Sequence, residues 1–256
     1  MNLNYSFLEG QTQIQLTNWS EITKFDQVIG RKGFWDGQEV HVFALSTNAS
    51  MEVISSLYRK LSQEEKIQAK RFKFIDDQNH YVLSHGFLRN ILASYVKSSP
   101  SDIRINRAKN GKPFLVSQAG KNSVHFNMAH SENVVLYIVS KSQEVGIDIE
   151  MIKPDFDWYS IAKGYFSPQE RLFLESLPRE DRLKTFYTLW TRKEALLKLS
   201  GEGLNGLDAI RNSSYYANRG KTTVMSFNFD GNYLGTLAVE VSFADIHFFC
   251  YSAFNA

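Results

Sequence analysis

Apolar and polar positions divide the chain into short stretches with a period of two and longer ones with a period near 3.6. Val40-His41-Val42-Phe43-Ala44-Leu45 predicts a first strand. Ser62, with Glu65 three positions on, marks a helix start: a hydroxyl and a carboxylate at this spacing satisfy each other's backbone N–H groups. Helical spacing then runs through Tyr81, Leu83, Phe87, Leu88, Ile91 and Leu92, with an interruption near Asp76-Asp77. It stops before Ser98-Ser99-Pro100-Ser101. Ile103-Arg104-Ile105 reads as a strand, Asn110-Gly111-Lys112-Pro113 as a turn, and Val124–Asn127 and Val134–Val139 as strands around residues 128–133.

The second half repeats this grammar. Val145-Gly146-Ile147-Asp148-Ile149-Glu150 alternates, so Ile147 and Ile149 face a core and Asp148 and Glu150 share the other face. Helices follow around residues 160–164, 167–176 and 181–200. Ser167-Pro168-Gln169-Glu170 starts the second, and Gly201 and Gly203 end the third. Strands near 224–229, 236–243 and 246–252 close the chain. The organisation expected is a leader at 1–37, one α+β lobe at 38–143 and a second at 144–256, with a small-molecule cleft at their junction.

Composition removes some classes of function. The 256 residues are 43% hydrophobic and 22% charged with a net charge of +2, so no basic groove for nucleic acid is indicated. There is no apolar run of membrane-spanning length, and Met1–Gly10 lacks a signal-peptide pattern. The single cysteine, Cys250, allows no intrachain disulfide, which points to the cytoplasm. No Gly-rich phosphate loop or dinucleotide fingerprint is present, which leaves another phosphoryl or nucleotidyl transferase without support.

The candidate chemistry lies in two segments. Trp190, Glu194 and Lys198 recur at i, i+4 and line one side of a helix. If that helix packs beside the Val145–Glu150 strand, Asp148, Glu150 and Glu194 converge on one hard cation. Lys198 then reaches a phosphate that the metal bridges. An all-oxygen set suits Mg²⁺ better than zinc.

Four motifs in order, Gly111-Lys112-Pro113, Phe126-Asn127-Met128-Ala129-His130-Ser131, Gly146–Glu150 and Trp190–Lys198, resemble the 4′-phosphopantetheinyl transferases of the surfactin-synthetase-activating type. The resemblance runs from about Val40 to about Phe254. It implies two pseudo-symmetric lobes, each a small, mostly antiparallel sheet packed with helices, with the active site between them in a monomer. It also implies transfer of the phosphopantetheine arm of coenzyme A, with Mg²⁺, to a serine of an apo-acyl or peptidyl carrier protein; adenosine 3′,5′-bisphosphate leaves. A relative that binds coenzyme A or a carrier without turnover is the alternative.

By this resemblance the metal positions fall on Asp148, Glu150 and Glu194, and the catalytic residues on Glu194, Lys198 and Asp148. Coenzyme A contacts fall on Lys70, Arg71, Arg89, Gly111, Lys112, Pro113, Ala129, His130 and Lys198. Glu65 and Gln68 stand where the family has basic residues for the 3′-phosphate, and Ala129 where it more often has serine. Lys193 is expected beside the phosphates but behind Lys198. Phe156, Trp158, Tyr159, Tyr165 and Phe166, with Lys153 and Lys163, form a candidate docking face for the carrier.

Overall fold

The computed structural model describes residues 39–116, 124–202, 222–240 and 245–251, together with the backbone of 19–22. A five-stranded sheet has the order β1 (Trp19–Ile22), β10 (Ile246–Tyr251), β2 (Val40–Ser46), β6 (Val134–Ser140), β5 (His125–Ser131). The β2–β6–β5 part is antiparallel, whereas β1, β10 and β2 run parallel. A second sheet, β7 (Val145–Met151), β9 (Tyr233–Val239) and β8 (Thr223–Phe229), is antiparallel throughout. A short hairpin joins β3 (Ile105–Arg107) to β4 (Pro113–Leu115).

Two features depart from the sequence reading. Part of the leader is a strand, β1. The final strand β10 leaves the second half and pairs with β2, so it belongs to the first sheet. Asp148 pairs opposite Thr236 in β9, which places the metal-candidate strand at an edge of the second sheet.

The layers follow from the alternation along each strand. One face of the first sheet, including Phe43, Phe126, Tyr137 and Phe249, packs on α1 (Met51–Lys60), α2 (Gln63–Ala69) and α3 (Ile75–Val96). Its other face, including Val42, Leu136 and Ile138, packs on Ile147, Ile149 and Leu237 of the second sheet. The outer face of the second sheet is covered by α6 (Arg179–Ser200) through Ala195, Leu196, Leu197 and Leu199 against Ala238. Each of these leucines contributes about 1.5–3 kcal/mol of transfer free energy. Helices α4 (Trp158–Tyr165) and α5 (Pro168–Ser176) pack on the first turns of α6 through Phe166, Leu174 and Phe186.

Local signals set the helix ends. Ser62 and Glu65 form a reciprocal capping box, as do Ser167 and Glu170. The helical interruption lies at 70–74, earlier than Asp76-Asp77, because α2 ends at Ala69 and α3 restarts at Ile75. Residue Gly201 ends α6 with φ +72, and Gly203 lies outside the described residues. Among the described residues no helix is long and apolar enough to cross a membrane.

Candidate active site

The alternation of β7 sends Val145, Ile147 and Ile149 into the space between the sheets and turns Gly146, Asp148 and Glu150 toward α6. Gly146 permits a close approach of strand and helix. A Cβ there would lie 2.1 Å from the Ala195 carbonyl oxygen and 2.5 Å from the Leu199 nitrogen. Because of that approach, Lys198 Nζ meets Asp148 Oδ1 at 2.7 Å, with Asp148 only 6% exposed.

The second oxygen of Asp148 is buried with no hydrogen-bond partner. Burial raises the Asp148 pKa despite the lysine. Glu150 is pushed up to about 6, by burial first and then by Asp148; Ser131 and Lys198 oppose the shift and Glu194 adds to it. Burial and Asp148 also raise Glu194. Three carboxylates thus share one neighbourhood with a single bonded ammonium, and an orphaned carboxylate oxygen suits an added cation. Among the described residues, however, no group of three or more His, Cys, Asp or Glu side chains is drawn close enough to hold a metal as it stands.

A cavity of about 1750 Å³ opens beside this cluster, lined by Glu194 and Lys198 from α6, by the β3–β4 hairpin, by β5 and by the α2–α3 face. Of the predicted coenzyme A residues, Arg71, Arg89, Gly111, Lys112, Pro113 and Lys198 line it. Lys70, the exposed cap residue just after α2, does not line it. The Ala129 methyl packs between the sheets. His130 lies at the end of strand β5. Its ring lies 4.8 Å from that of His80, and partial burial, His80, Lys198 and His85 lower its pKa.

Three basic residues are spent on other work. Arg89 is 2% exposed; it donates to Glu65 at 2.6 Å and to the carbonyls of Pro100 and Ile103, each at 2.9 Å. Lys193 is fully buried, 2.8 Å from Glu170 and over the Phe166 ring, so it does not face the phosphate side with Lys198. Lys112 donates to Glu144 and to the Leu199 carbonyl.

The sequence reading missed Arg104 and Arg107, exposed residues of the hairpin that line the cavity; the polar positions of Ile103-Arg104-Ile105-Asn106-Arg107 carried that signal. It also missed Ser131, which donates to Glu150 at 3.1 Å and accepts from the Met151 N–H at 3.0 Å.

Of the docking candidates, Tyr159 and Tyr165 are exposed, and Phe156 is 36% exposed. Trp158 and Phe166 pack into the core beneath them, and Lys153 pairs with Glu132 at 2.6 Å.

Comparison with known proteins bears on this site. A profile described as the 4′-phosphopantetheinyl transferase superfamily matches residues 144–238. A second profile, described as 4′-phosphopantetheinyl transferase, N-terminal, matches residues 47–143. The 4′-phosphopantetheinyl transferase HetI of Nostoc sp. is 34% identical over 172 residues, 67% of this chain and 73% of the relative. A putative 4′-phosphopantetheinyl transferase of Synechocystis sp. is 38% identical over 57% of this chain and 59% of its own length. The 4′-phosphopantetheinyl transferase Sfp of Bacillus subtilis is 32% identical over 57% of this chain and 62% of its own.

Proposed function

The chain belongs to the 4′-phosphopantetheinyl transferase superfamily, and from that premise we propose that its cavity takes coenzyme A and delivers the phosphopantetheine arm to a serine hydroxyl of an apo-acyl or peptidyl carrier protein. The observation that carries this reading is the cluster of Asp148, Glu150, Glu194 and Lys198 beside a cavity large enough for a nucleotide-sized substrate.

Roles follow from the chemistry of each group. Mg²⁺ held by Asp148, Glu150 and Glu194 supplies, when bound, the charge that stabilises a departing phosphate. Lys198 keeps Asp148 oriented and presents a positive charge at the cavity wall. Glu194 also lines the cavity, where its carboxylate can accept the serine proton, directly or through water. Ser131 fixes the Glu150 carboxylate from the neighbouring strand.

Gly111 and Pro113 flank the adenosine, while Arg71, Arg104 and Arg107 give the wall cationic character. Arg89, neutralised by Glu65, contributes little to phosphate binding. The carrier docks on the face presenting Phe156, Tyr159 and Tyr165 with Lys163 near the end of α4. The enzyme acts as a monomer in the cytoplasm, where coenzyme A and apo-carriers meet.

The test is intact-protein mass spectrometry of apo-carriers incubated with the chain and coenzyme A, with and without Mg²⁺. A metal-dependent gain of one phosphopantetheine, abolished by Asp148→Ala, is expected. Coenzyme A binding with no gain on any carrier class would instead make the chain a non-catalytic relative.

A further inference from the structure

We infer that Lys112 is a positioning residue that clasps the C-terminal turn of α6 and thereby holds Lys198 in place. The inference rests on the transferase reading above. Gly111, at φ +87, turns the hairpin so that Lys112 projects across to the second half of the chain.

The Lys112 ammonium has three protons, and three acceptors surround it: the Glu144 carboxylate, the Leu199 carbonyl at 2.8 Å and the Val145 carbonyl at 3.5 Å. All three lie beyond residue 143. Its side chain is 16% exposed. An ammonium engaged in this way is turned from the cavity's adenosine side toward the protein.

The Leu199 carbonyl is one of the last-turn acceptors that an α-helix cannot satisfy internally. A cation at that end also complements the helix dipole. Asn110, from the same hairpin, packs against Gly201: a Cβ on Gly201 would fall 2.5 Å from Asn110 Nδ2. The hairpin therefore meets the end of α6 at two points, one on either side of Ser200.

The clasp reaches both partners of the 2.7 Å ion pair. Leu199 directly follows Lys198, so fixing its carbonyl fixes the turn that carries the lysine. Glu144 and Val145 lead into β7, which carries Asp148. Glu144 is braced from behind by His125 Nδ1 at 2.9 Å. A chain of contacts from β5 through Glu144 and Lys112 to Leu199 thus sets strand and helix against each other beside the reacting groups.

The experiment is a double-mutant cycle on kcat with Lys112→Met, Lys198→Ala and the pair, using excess enzyme and long time courses so that slow variants are measured. Lys112→Met is expected to lower kcat by about tenfold to a hundredfold, the scale of a small misplacement. The coenzyme A KM should change far less, and Lys112→Arg should restore most of the rate. On the Lys198→Ala background, Lys112→Met should cost nothing further.

Losses that multiply in the double variant, or a rise in coenzyme A KM at unchanged kcat, would overturn the clasp and return Lys112 to the ligand. If Lys112→Met fails to fold, Glu144→Gln gives the same test, with a smaller kcat loss that also vanishes on the Lys198→Ala background. A wild-type chain with no transferase activity would instead remove the underlying reading, and the clasp with it.

Discussion

Gly146→Ala adds one methyl group where strand β7 and helix α6 touch. The new Cβ would sit 2.1 Å from the Ala195 carbonyl oxygen and 2.5 Å from the Leu199 nitrogen, where ordinary contact begins at 3.4 Å. Relief requires about 1.3 Å of separation between helix and strand, the difference between 3.4 and 2.1 Å. Both atoms are backbone, so no rotamer change supplies it. Overpacking usually costs about 1–3 kcal/mol, and this case belongs at the upper end. At about 2–4 °C per kcal/mol for a chain near this size, about 3 kcal/mol lowers Tm by about 6–12 °C. The same displacement separates Lys198 from Asp148, and a shift of about 1 Å can cost about a hundredfold in rate. Thermal denaturation gives the first number and the initial rate of holo-carrier formation gives the second. A variant within about 2 °C of wild type and within about twofold of its rate would refute the argument that this close approach builds the site.

Lys193→Met leaves the Glu170 carboxylate buried without its cation, and breaking such a pair costs about 3–5 kcal/mol; urea unfolding of the variant checks it, and an unchanged midpoint would show the pair to be inert. Glu65 is held down to about 2: burial opposes this, but His85, the Ser62 N–H and Arg89 together prevail. Its stabilisation is therefore present above the ordinary value of 4.5 and is lost as pH falls through about 2. Glu65→Gln should accordingly be less stable than wild type at neutral pH, with the gap closing in that acid window; a gap that stays constant with pH would be the contrary result. Glu150 is raised to about 6, so below that pH a metal must displace its proton. Calorimetric Mg²⁺ affinity should then fall about tenfold per pH unit for each proton displaced, and a pH-independent affinity would count against Glu150 as a ligand.

What could be read from the chain in advance was what depends on near neighbours. Both capping boxes lie within four residues, and both formed. The alternation of β7 correctly separated Ile147 and Ile149 from Asp148; of the three residues that i, i+4 spacing put on one side of α6, Glu194 and Lys198 line the cavity and Trp190 packs in the core beside Phe186. Strand partnership is different, because it is decided by segments far apart. Nothing in Ile246–Tyr251 says that it prefers β2 to β9, and Trp19–Ile22 is too short to declare itself as a strand.

The basic residues show the same division within the site. Arg89, Lys193 and Lys112 were sorted by charge and motif, yet each is neutralised by a carboxylate that sequence distance concealed: Glu65 24 positions away, Glu170 on the preceding helix, and Glu144 32 positions away. A motif shows that a cation is present; only the fold shows which anion or carbonyl reaches it first. Of these lysines, Lys198 alone both pairs with a carboxylate of the cluster and lines the cavity, with 29% of its side chain exposed. That partial exposure is what the role proposed for Lys198 at the phosphates requires. Lys193 at 0% is sealed from the cavity, and Lys112 faces the cavity wall with its charge already engaged. The division of labour among the three lysines is therefore one of access rather than of residue type, which is why substituting any two of them should give different kinetic signatures.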